Sequence, residues 1–483
     1  MRTLNHKQYF TELRDNLTRW LKRKSRRISK DLVEAALILM GLDLQPARNI
    51  LAPLYSKNPR GRKPYDPIIM LRALLLMVLL QYKSIPKFAK DLKAKPRIAK
   101  IAGFFDGDVP VAGTFYLFID RLEDGKYQKP CQHLVKQSKL RKGKHLRNLT
   151  TEKEQRQKDK QMDLTLYDSV TQKLKDELLA KKDQPRPNDL QKRLEDILMR
   201  CAIIPSVEKG FIKDTQAMTV CGDGSALQTA ASRHGKPSCN CREKGIKNCD
   251  HPRFYSDPTA NWGYDSYRDC YYFGHTFYQH VISTNGHDLP LHVTISDAAE
   301  TDFTLSMKSL SRLRKALAEN GLSWHIENAV YDAGHDALGI YEYLMEHKIK
   351  PVIALNQRAG TYPKPTGTAE KVNEDGIPLC KAPKPMRRHG YERQKKRIYY
   401  NCPVKRPTHR NGKRCWVAYP DECPRGVLCQ PDTKMGPVVY VRTEDDPRLY
   451  PAIRRDTDKF KRLFKKRSSC ERSNSQKKET YRL

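Results

Sequence analysis

Acidic residues are scarce in this chain of 483 residues: 55 Asp and Glu stand against 91 Lys and Arg, leaving a formal net charge of +36. An imbalance of that size narrows the partners to polyanions. Each phosphate neutralised by Lys or Arg releases counterions, which gives strong, salt-sensitive and largely sequence-independent affinity. Charge alone does not separate DNA from RNA. Long apolar runs are also missing. The most apolar stretch, Pro67 to Tyr82, is too short to span a bilayer and contains Arg72, so it reads as a buried helix and no membrane partner is expected. The N-terminus lacks the apolar segment and small-residue cleavage site of a secretory signal. The 13 cysteines are an odd number; without a signal they favour thiols or metal ligands over a disulfide framework, and so a reducing, cytoplasmic compartment. Hydrophobic residues make up only 38%, below the globular average but enough for cores. Wholesale disorder is excluded, and at about 100 to 200 residues per domain the length suggests two to four domains.

Residues 1–135 show helical periodicity broken by basic clusters, among them Lys22, Arg23, Lys24, Arg26 and Arg27. Asn58 to Pro64 reads as a loop. After it, Asp66 and Pro67 supply an N-cap and a first-turn proline for the helix to about Tyr82, and Thr114 is an expected N-cap for Phe115 to Leu122. Residues 136–200 begin with a stretch, 136 to 160, of ten Lys or Arg against three acids. Such a segment is a solvated linker or an arm lying on phosphates; an amphipathic helix is expected around Leu190 to Cys201. Over 201–355 the texture turns to β-like runs at Met218–Gly222, Tyr271–Ser283, Leu289–Ile295, Ile326–Tyr331 and Val352–Leu355. Helical patterns at Ser306–Glu319 and Gly339–His347 alternate with the later strands. The expected fold is α/β, a mixed sheet flanked by helices. Residues 356–455, rich in Pro, Lys, Arg and Cys with short strands such as Val438–Val441, read as a β-rich insertion. In 456–483 a last helix is expected from Lys459 to about Lys478.

Two acids end apolar strands. Asp223 closes Thr219-Val220-Cys221-Gly222-Asp223-Gly224, and Asp332 follows Ala329-Val330-Tyr331; in open α/β sheets, ligands bind at strand ends. Taken alone, each reads as a turn residue rather than a catalytic one. In the last helix Phe460, Leu463, Phe464, Arg467, Cys470, Glu471, Asn474 and Lys478 follow steps of three and four, which predicts one shared face turned to the core. A carboxylate there is costly unless paired or metal-bound, and Arg467 offers an intrahelical ion pair.

These residues carry a resemblance. Val220-Cys221-Gly222-Asp223-Gly224-Ser225, Tyr331-Asp332-Ala333-Gly334-His335-Asp336 and a C-terminal signature of the form Y-x2-R-x3-E-x6-K, here Phe464, Arg467, Glu471 and Lys478, resemble the DDE transposases of bacterial insertion sequences. Arg472, Asn474 and Ser475 fit the same pattern, with Phe464 and His335 standing where the family often has tyrosine. The resemblance implies an RNase H-like catalytic domain, with the helices of 1–135 binding DNA and mediating dimerisation. It implies catalytic carboxylates at Asp223, Asp332 and Glu471 holding two Mg²⁺ ions, for which Mn²⁺ can substitute. Arg467 and Lys478 would contact DNA phosphate. Water would cut a strand at the element's end, and the freed 3′-hydroxyl would attack target DNA. The partners implied are double-stranded transposon ends and target DNA, with a homodimer on DNA, in the nucleoid of a prokaryote. Arg60 to Lys63 would be a groove or backbone arm. The chain ends twelve residues after Glu471, where relatives usually continue. One alternative is therefore a truncated, catalytically decayed copy that only binds DNA; a third reading is a basic, zinc-bearing nuclease that hydrolyses without strand transfer.

Cysteines cluster twice. Cys239-x-Cys241-x7-Cys249-x-His251 places four soft or borderline ligands where they can close a structural zinc site, against the alternative of free thiols. Cys402, Cys415, Cys423 and Cys429 form a second set with wider spacing. Trp416 could stack on an unpaired base or fill a small core in the insertion.

Overall fold

A computed structural model describes residues 3–22, 28–56, 63–124, 137–138, 164–237, 239–246, 249, 251, 253–357, 362–410, 412–444 and 446–481. Residues 60–62 of the expected arm, the basic cluster 23–27 and nearly all of the basic stretch 136–160 lie outside the described residues.

The N-terminal region is helical: His6–Lys22 (α1), Lys30–Gly41 (α2), Pro67–Leu79 (α3), Ile85–Ala94 (α4), Pro96–Ala102 (α5) and Ala112–Asp124 (α6). Asp66 caps α3, accepting from the Ile68 amide at 2.9 Å, with Pro67 in the first turn. α6 starts at Ala112, ahead of the expected cap Thr114. Arg72 is fully buried, its guanidinium 3.6 Å from the centre of the Tyr9 ring; a cation on an aromatic face keeps part of the stabilisation it loses with water. Two further helices, Leu164–Ala180 (α7) and Leu190–Leu198 (α8), lead to the sheet, α8 running into a π-turn at Met199–Ile203.

The central sheet is mixed. Its strands are Met218–Gln228 (β1), Asn261–Asp265 (β2), Cys270–Thr284 (β3), His287–Asp297 (β4), Ile326–Tyr331 (β5) and Lys350–Ile353 (β6); helix Asp302–Glu319 (α9) precedes β5 and Leu338–Glu346 (α10) precedes β6. β1 pairs antiparallel with β3 and parallel with β5, β5 pairs parallel with β6, and β4 adds antiparallel to β3. β2 also pairs antiparallel with β3, at the start of that strand, and the order β4-β3-β1-β5-β6 of the other five is that of an RNase H-like sheet. Side-chain alternation sorts its faces. Val220, Ala329 and Tyr331 pack with Leu310 and Ile340 on one side. Cys221, Val281, Val330 and Val352 pack on the other with Phe460 and Cys470 of the C-terminal helices.

The insertion holds Arg387–Glu392 (β7), Arg397–Asn401 (β8) and Val438–Arg442 (β11) in one antiparallel sheet, plus a hairpin of Lys405–Arg410 (β9) and Lys413–Ala418 (β10). Trp416 sits half-buried on β10, its ring 5.5 Å from that of His389. The single helix expected from Lys459 is interrupted: Asp458–Phe464 (α11) and Ser468–Tyr481 (α12) flank a 3₁₀ turn at Lys465–Arg467. The Cys221 thiol donates to the Lys466 carbonyl in that turn, at 3.2 Å. A tighter turn changes the helical phase. The buried face of α12 therefore comprises Ser469, Cys470, Ser473 and Asn474, while Glu471 turns outward with its side chain 53% exposed. The expectation of Glu471 on the packed face is corrected accordingly.

No described helix is long and apolar enough to cross a membrane.

Candidate active site

Cys221 of β1 lies level with Val330 of β5 in the parallel register. Two residues on, Asp223 and Asp332 stand at one height on the side covered by α12: Asp332 just past the end of β5, and Asp223 within β1, which continues to Gln228 beside β3 rather than ending at the acid as expected, so that only its pairing with β5 stops there. The amide Nδ2 of Asn474 donates to Asp223 Oδ2 at 3.1 Å. Gln279 of β3 ties the same helix down, donating to the Cys470 carbonyl at 3.2 Å and to the Asn474 side chain. Glu471, one turn before Asn474, lines a cleft of about 1160 Å³ with Asp223 and Lys478. Arg467 pairs with Glu471 at 2.7 Å, so the intrahelical ion pair is present, at the rim of the cleft. Its guanidinium also acts electrostatically on Asp223 and Asp332.

His335 orients Asp332. Its Nδ1 hydrogen-bonds Asp332 Oδ1 at 2.5 Å, its Nε2 meets the Tyr278 hydroxyl at 3.1 Å, and its ring stacks on Tyr331 at 4.9 Å. A tyrosine at this position could not bond both partners in the same way. Burial works to lower the His335 pKa, but the Asp332 hydrogen bond and charge overcome it and leave it raised. Burial likewise works to raise Asp332, and the His335 bond holds it below the usual carboxylate range.

A fourth carboxylate was not anticipated. Asp302, the first residue of α9, reaches the sheet from the opposite face because Gly224 has no side chain. A Cβ at Gly224 would stand 2.0 Å from Asp302 Oδ1. Gly222 admits Tyr278 and the Tyr331 ring in the same way, its hypothetical Cβ lying 2.4 Å from each. Asp302 keeps contact with solvent in the cleft, yet the protein around it, then Asp332, holds it above the ordinary range despite the opposing pull of His335. Asp223 feels all of this. Its burial, then the charges of Asp302 and Asp332, push it up to about 7. Like charges gathered in a partly dry site disfavour ionisation, and a hard divalent cation reverses that preference. An all-oxygen, anionic donor set open to solvent suits a hard divalent cation. Lys477, beside Lys478, is half-buried against Gln279 and Ser473, and burial pushes it down to about 8.

The cysteine cluster lies on the excursion between β1 and β2. The ligand atoms of Cys239, Cys241, Cys249 and His251 all lie within 4.8 Å of one another; Cys239 and Cys249 sulfurs are 3.5 Å apart and Cys241 Sγ is 3.3 Å from His251 Nδ1. Tetrahedral zinc with bonds of ~2.3 Å sets its sulfurs ~3.8 Å apart, so the set matches. The turn after Cys241 closes through Ile246, whose amide donates to the Cys241 carbonyl at 2.9 Å. Hydrogen bonding to Cys239, then burial and Cys249, push the Cys241 thiol up to about 11. Among the described residues this is the one group of three or more His, Cys, Asp or Glu whose ligand atoms already lie this close together. Of the second set, Cys402, Cys423 and Cys429 line one pocket together with Cys380, without their sulfurs gathering as closely as those of the first set, and Cys415 is committed to the β9–β10 hairpin, donating to the Thr408 carbonyl at 3.5 Å.

A sheet of this order, with Asp223 and Asp332 where the parallel pairing of its two central strands stops, is that of an RNase H-like domain. Residues 206–483 match the transposase DDE domain and residues 25–121 match a transposase domain (DUF772). The chain belongs to the DDE transposases, enzymes that act on DNA. No curated protein and no solved structure matches it.

Proposed function

We propose that the chain cuts DNA strands at the ends of an insertion sequence and joins them to target DNA, with Asp223, Asp332 and Glu471 holding two Mg²⁺ ions. The observation that carries this reading is the meeting of Asp223 with α12: Asn474 bonds its carboxylate, and Glu471 lines the same cleft one turn away. When bound, such ions activate the attacking oxygen and stabilise the leaving one in an in-line displacement. The protein's own contribution is positional. His335 fixes Asp332, Asn474 fixes Asp223, and Arg467 and Lys478 offer cationic partners to the phosphates on either side. Lys478 is half-buried at the cleft, and a DNA phosphate could take over Arg467 from Glu471, freeing that carboxylate. Working on two ends implies at least a dimer on DNA. The test is an assay of the full chain in Mg²⁺ on DNA flanking its gene: cleavage followed by strand transfer supports the reading, nicking alone leaves a nuclease, and salt-sensitive binding without cleavage in any metal leaves a DNA-binding relic.

Asp302 is read as support for the ions from across the sheet. Asp302→Asn should weaken divalent-cation binding by about tenfold, within the range for groups that back metal ligands. Calcium titration by calorimetry on the full chain measures this independently of activity; unchanged affinity would remove Asp302 from the site.

Zinc in the Cys239, Cys241, Cys249 and His251 set would hold together an excursion that has little core of its own. Protein purified without chelator should contain one equivalent of zinc by mass spectrometry, and Cys249→Ser should contain none. Equal metal content in the two would assign the cysteines as free thiols.

A further inference from the structure

The acid cleft has a second wall that the proposed chemistry leaves unused. β2 and the start of β3 form a hairpin whose two faces differ. One is committed to packing: a Cβ at Gly263 would stand 2.4 Å from the Ala298 carbonyl, and the buried Tyr272 hydroxyl meets Thr276 Oγ1 at 2.9 Å. The other is a ladder of aromatic pairs set by the antiparallel register. Trp262 faces Phe273 with ring centroids 5.7 Å apart, and Tyr264 faces Tyr271 at 5.2 Å, both edge to face. Tyr264 and Tyr271 are exposed, and Tyr267 at the turn is 96% exposed. Packing does not account for three exposed tyrosines on one short hairpin.

The hairpin lines the same cleft as Asp223 and Glu471. Charges of both signs flank the rings: Arg268 at the tip pairs with Asp265 at 3.9 Å, Asp269 accepts from the Tyr264 hydroxyl, and the Arg233 guanidinium lies 5.5 Å from the centre of the Trp262 ring. An acidic peptide would be repelled by the carboxylates on the cleft floor, which need a partner that brings cations with it. A nucleic-acid strand does so. Stacking on an aromatic side chain requires an exposed base face, which a paired, stacked duplex does not offer.

We propose that the β2–β3 hairpin is a stacking arm, on which Tyr264, Tyr267 and Tyr271 hold unpaired bases of the DNA strand whose phosphate reaches the acids. This rests on the cleft being the strand-cleavage site. The zinc-ligand loop precedes β2 directly and would anchor the arm.

The probes are a single-stranded oligonucleotide carrying 2-aminopurine near its 3′ end and the same strand fully paired. With the full chain, 2-aminopurine fluorescence should be quenched in the single strand. Tyr264→Ser, Tyr267→Ser and Tyr271→Ser combined should lose the quenching and bind the single strand about tenfold or more weakly, since stacking is worth about 1–3 kcal/mol per base. Duplex affinity should not change. The three Tyr→Phe changes should restore stacking, which a role for the hydroxyls would not allow. Tyr267→Ser alone, at a position touching almost nothing, should show a partial loss free of any folding defect. Asp223→Asn should keep the quenching, so a failed catalytic assignment is seen separately. Wild-type quenching by the serine variants, or equal losses on single strand and duplex, overturns the proposal.

Discussion

Asp223→Asn should abolish strand cleavage in Mg²⁺, leave DNA binding nearly intact, and make the metal-free protein more stable at pH 8 but not at pH 4. The first effect follows from removing a carboxylate that would face both ions; losing about 4 kcal/mol of transition-state stabilisation costs a factor of about a thousand in rate. The second follows from the position of Asp223, held up to about 7 by burial and by Asp302 and Asp332, with His335 and Arg467 opposing. Its carboxyl therefore binds a proton more tightly folded than unfolded. Where the unfolded chain binds fewer protons, stability falls as pH rises, so this group lowers stability progressively from about pH 4 to pH 7 and no further above it. The gap from the ordinary 3.8 to about 7 corresponds to about 4 kcal/mol at complete burial; partial solvent access reduces the expected gain of the variant to about 1–2 kcal/mol. Thermal melts of both proteins at pH 4 and pH 8, with and without Mg²⁺, check it. Mg²⁺ should stabilise the wild type, as any ligand of the folded state does, and should do little for the variant. Full cleavage by Asp223→Asn, or identical stabilisation by Mg²⁺ in the two proteins, would refute the assignment.

The sheet was readable because its strands are apolar and end abruptly. Ile326–Tyr331 is found as expected, and β1 and β3 differ from expectation mainly in length, since burial periodicity survives in sequence while the point where pairing stops depends on neighbours. Asp223 and Asp332 could be singled out because a carboxylate after such a run is conspicuous. Asp302 could not. Its approach depends on a missing side chain at Gly224, 78 positions earlier, and no local pattern reports that juxtaposition. Glu471 was assigned to the buried face by counting 3.6 residues per turn through Lys465–Arg467, where a 3₁₀ turn shifts the phase. The β2 strand was missed because Trp262, Gly263 and Tyr264 do not alternate apolar with polar; Gly263 is there for backbone proximity to Ala298. The cysteine sets divide similarly. Tight spacing confines four ligands to one loop whatever the fold, whereas Cys402, Cys415, Cys423 and Cys429 depend on how the β9–β10 hairpin is placed.

Arg186→Leu should destabilise the full chain by about 3–5 kcal/mol, the cost of breaking a buried ion pair from one side. Arg186 is buried between α7 and α8 and holds three carboxylates: Glu195 at 2.7 Å, Asp196 at 2.5 Å and Glu319 at 3.0 Å. Glu195 is itself buried and also bonds Arg312 of α9 at 2.7 Å and His292 of β4 at 3.0 Å. Burial raises Glu195, but the His292 and Arg312 partners prevail and keep it far below the usual range. Glu319, bonded by the Arg186 amide and guanidinium, is held down at about 2 against its burial. Without Arg186 the acids would remain in a dry site with too little positive charge, because Lys192 and Arg312 already serve Asp196, Glu319 and Glu195. The network matters beyond stability. α8 packs on the N-terminal helices through Leu190 and Ile197, while Glu319 and Arg312 belong to the helix whose first residue is Asp302. Arg186 thus ties the DNA-facing helices proposed for the N-terminal region to the element that carries the fourth carboxylate. Denaturant midpoints of wild type and Arg186→Leu measure the loss, and Glu195→Gln in the Arg186→Leu background should recover part of it by removing one unpaired charge. A midpoint unchanged by Arg186→Leu would mean that water or lysines replace the guanidinium, and the link between the two regions would then rest on apolar packing alone.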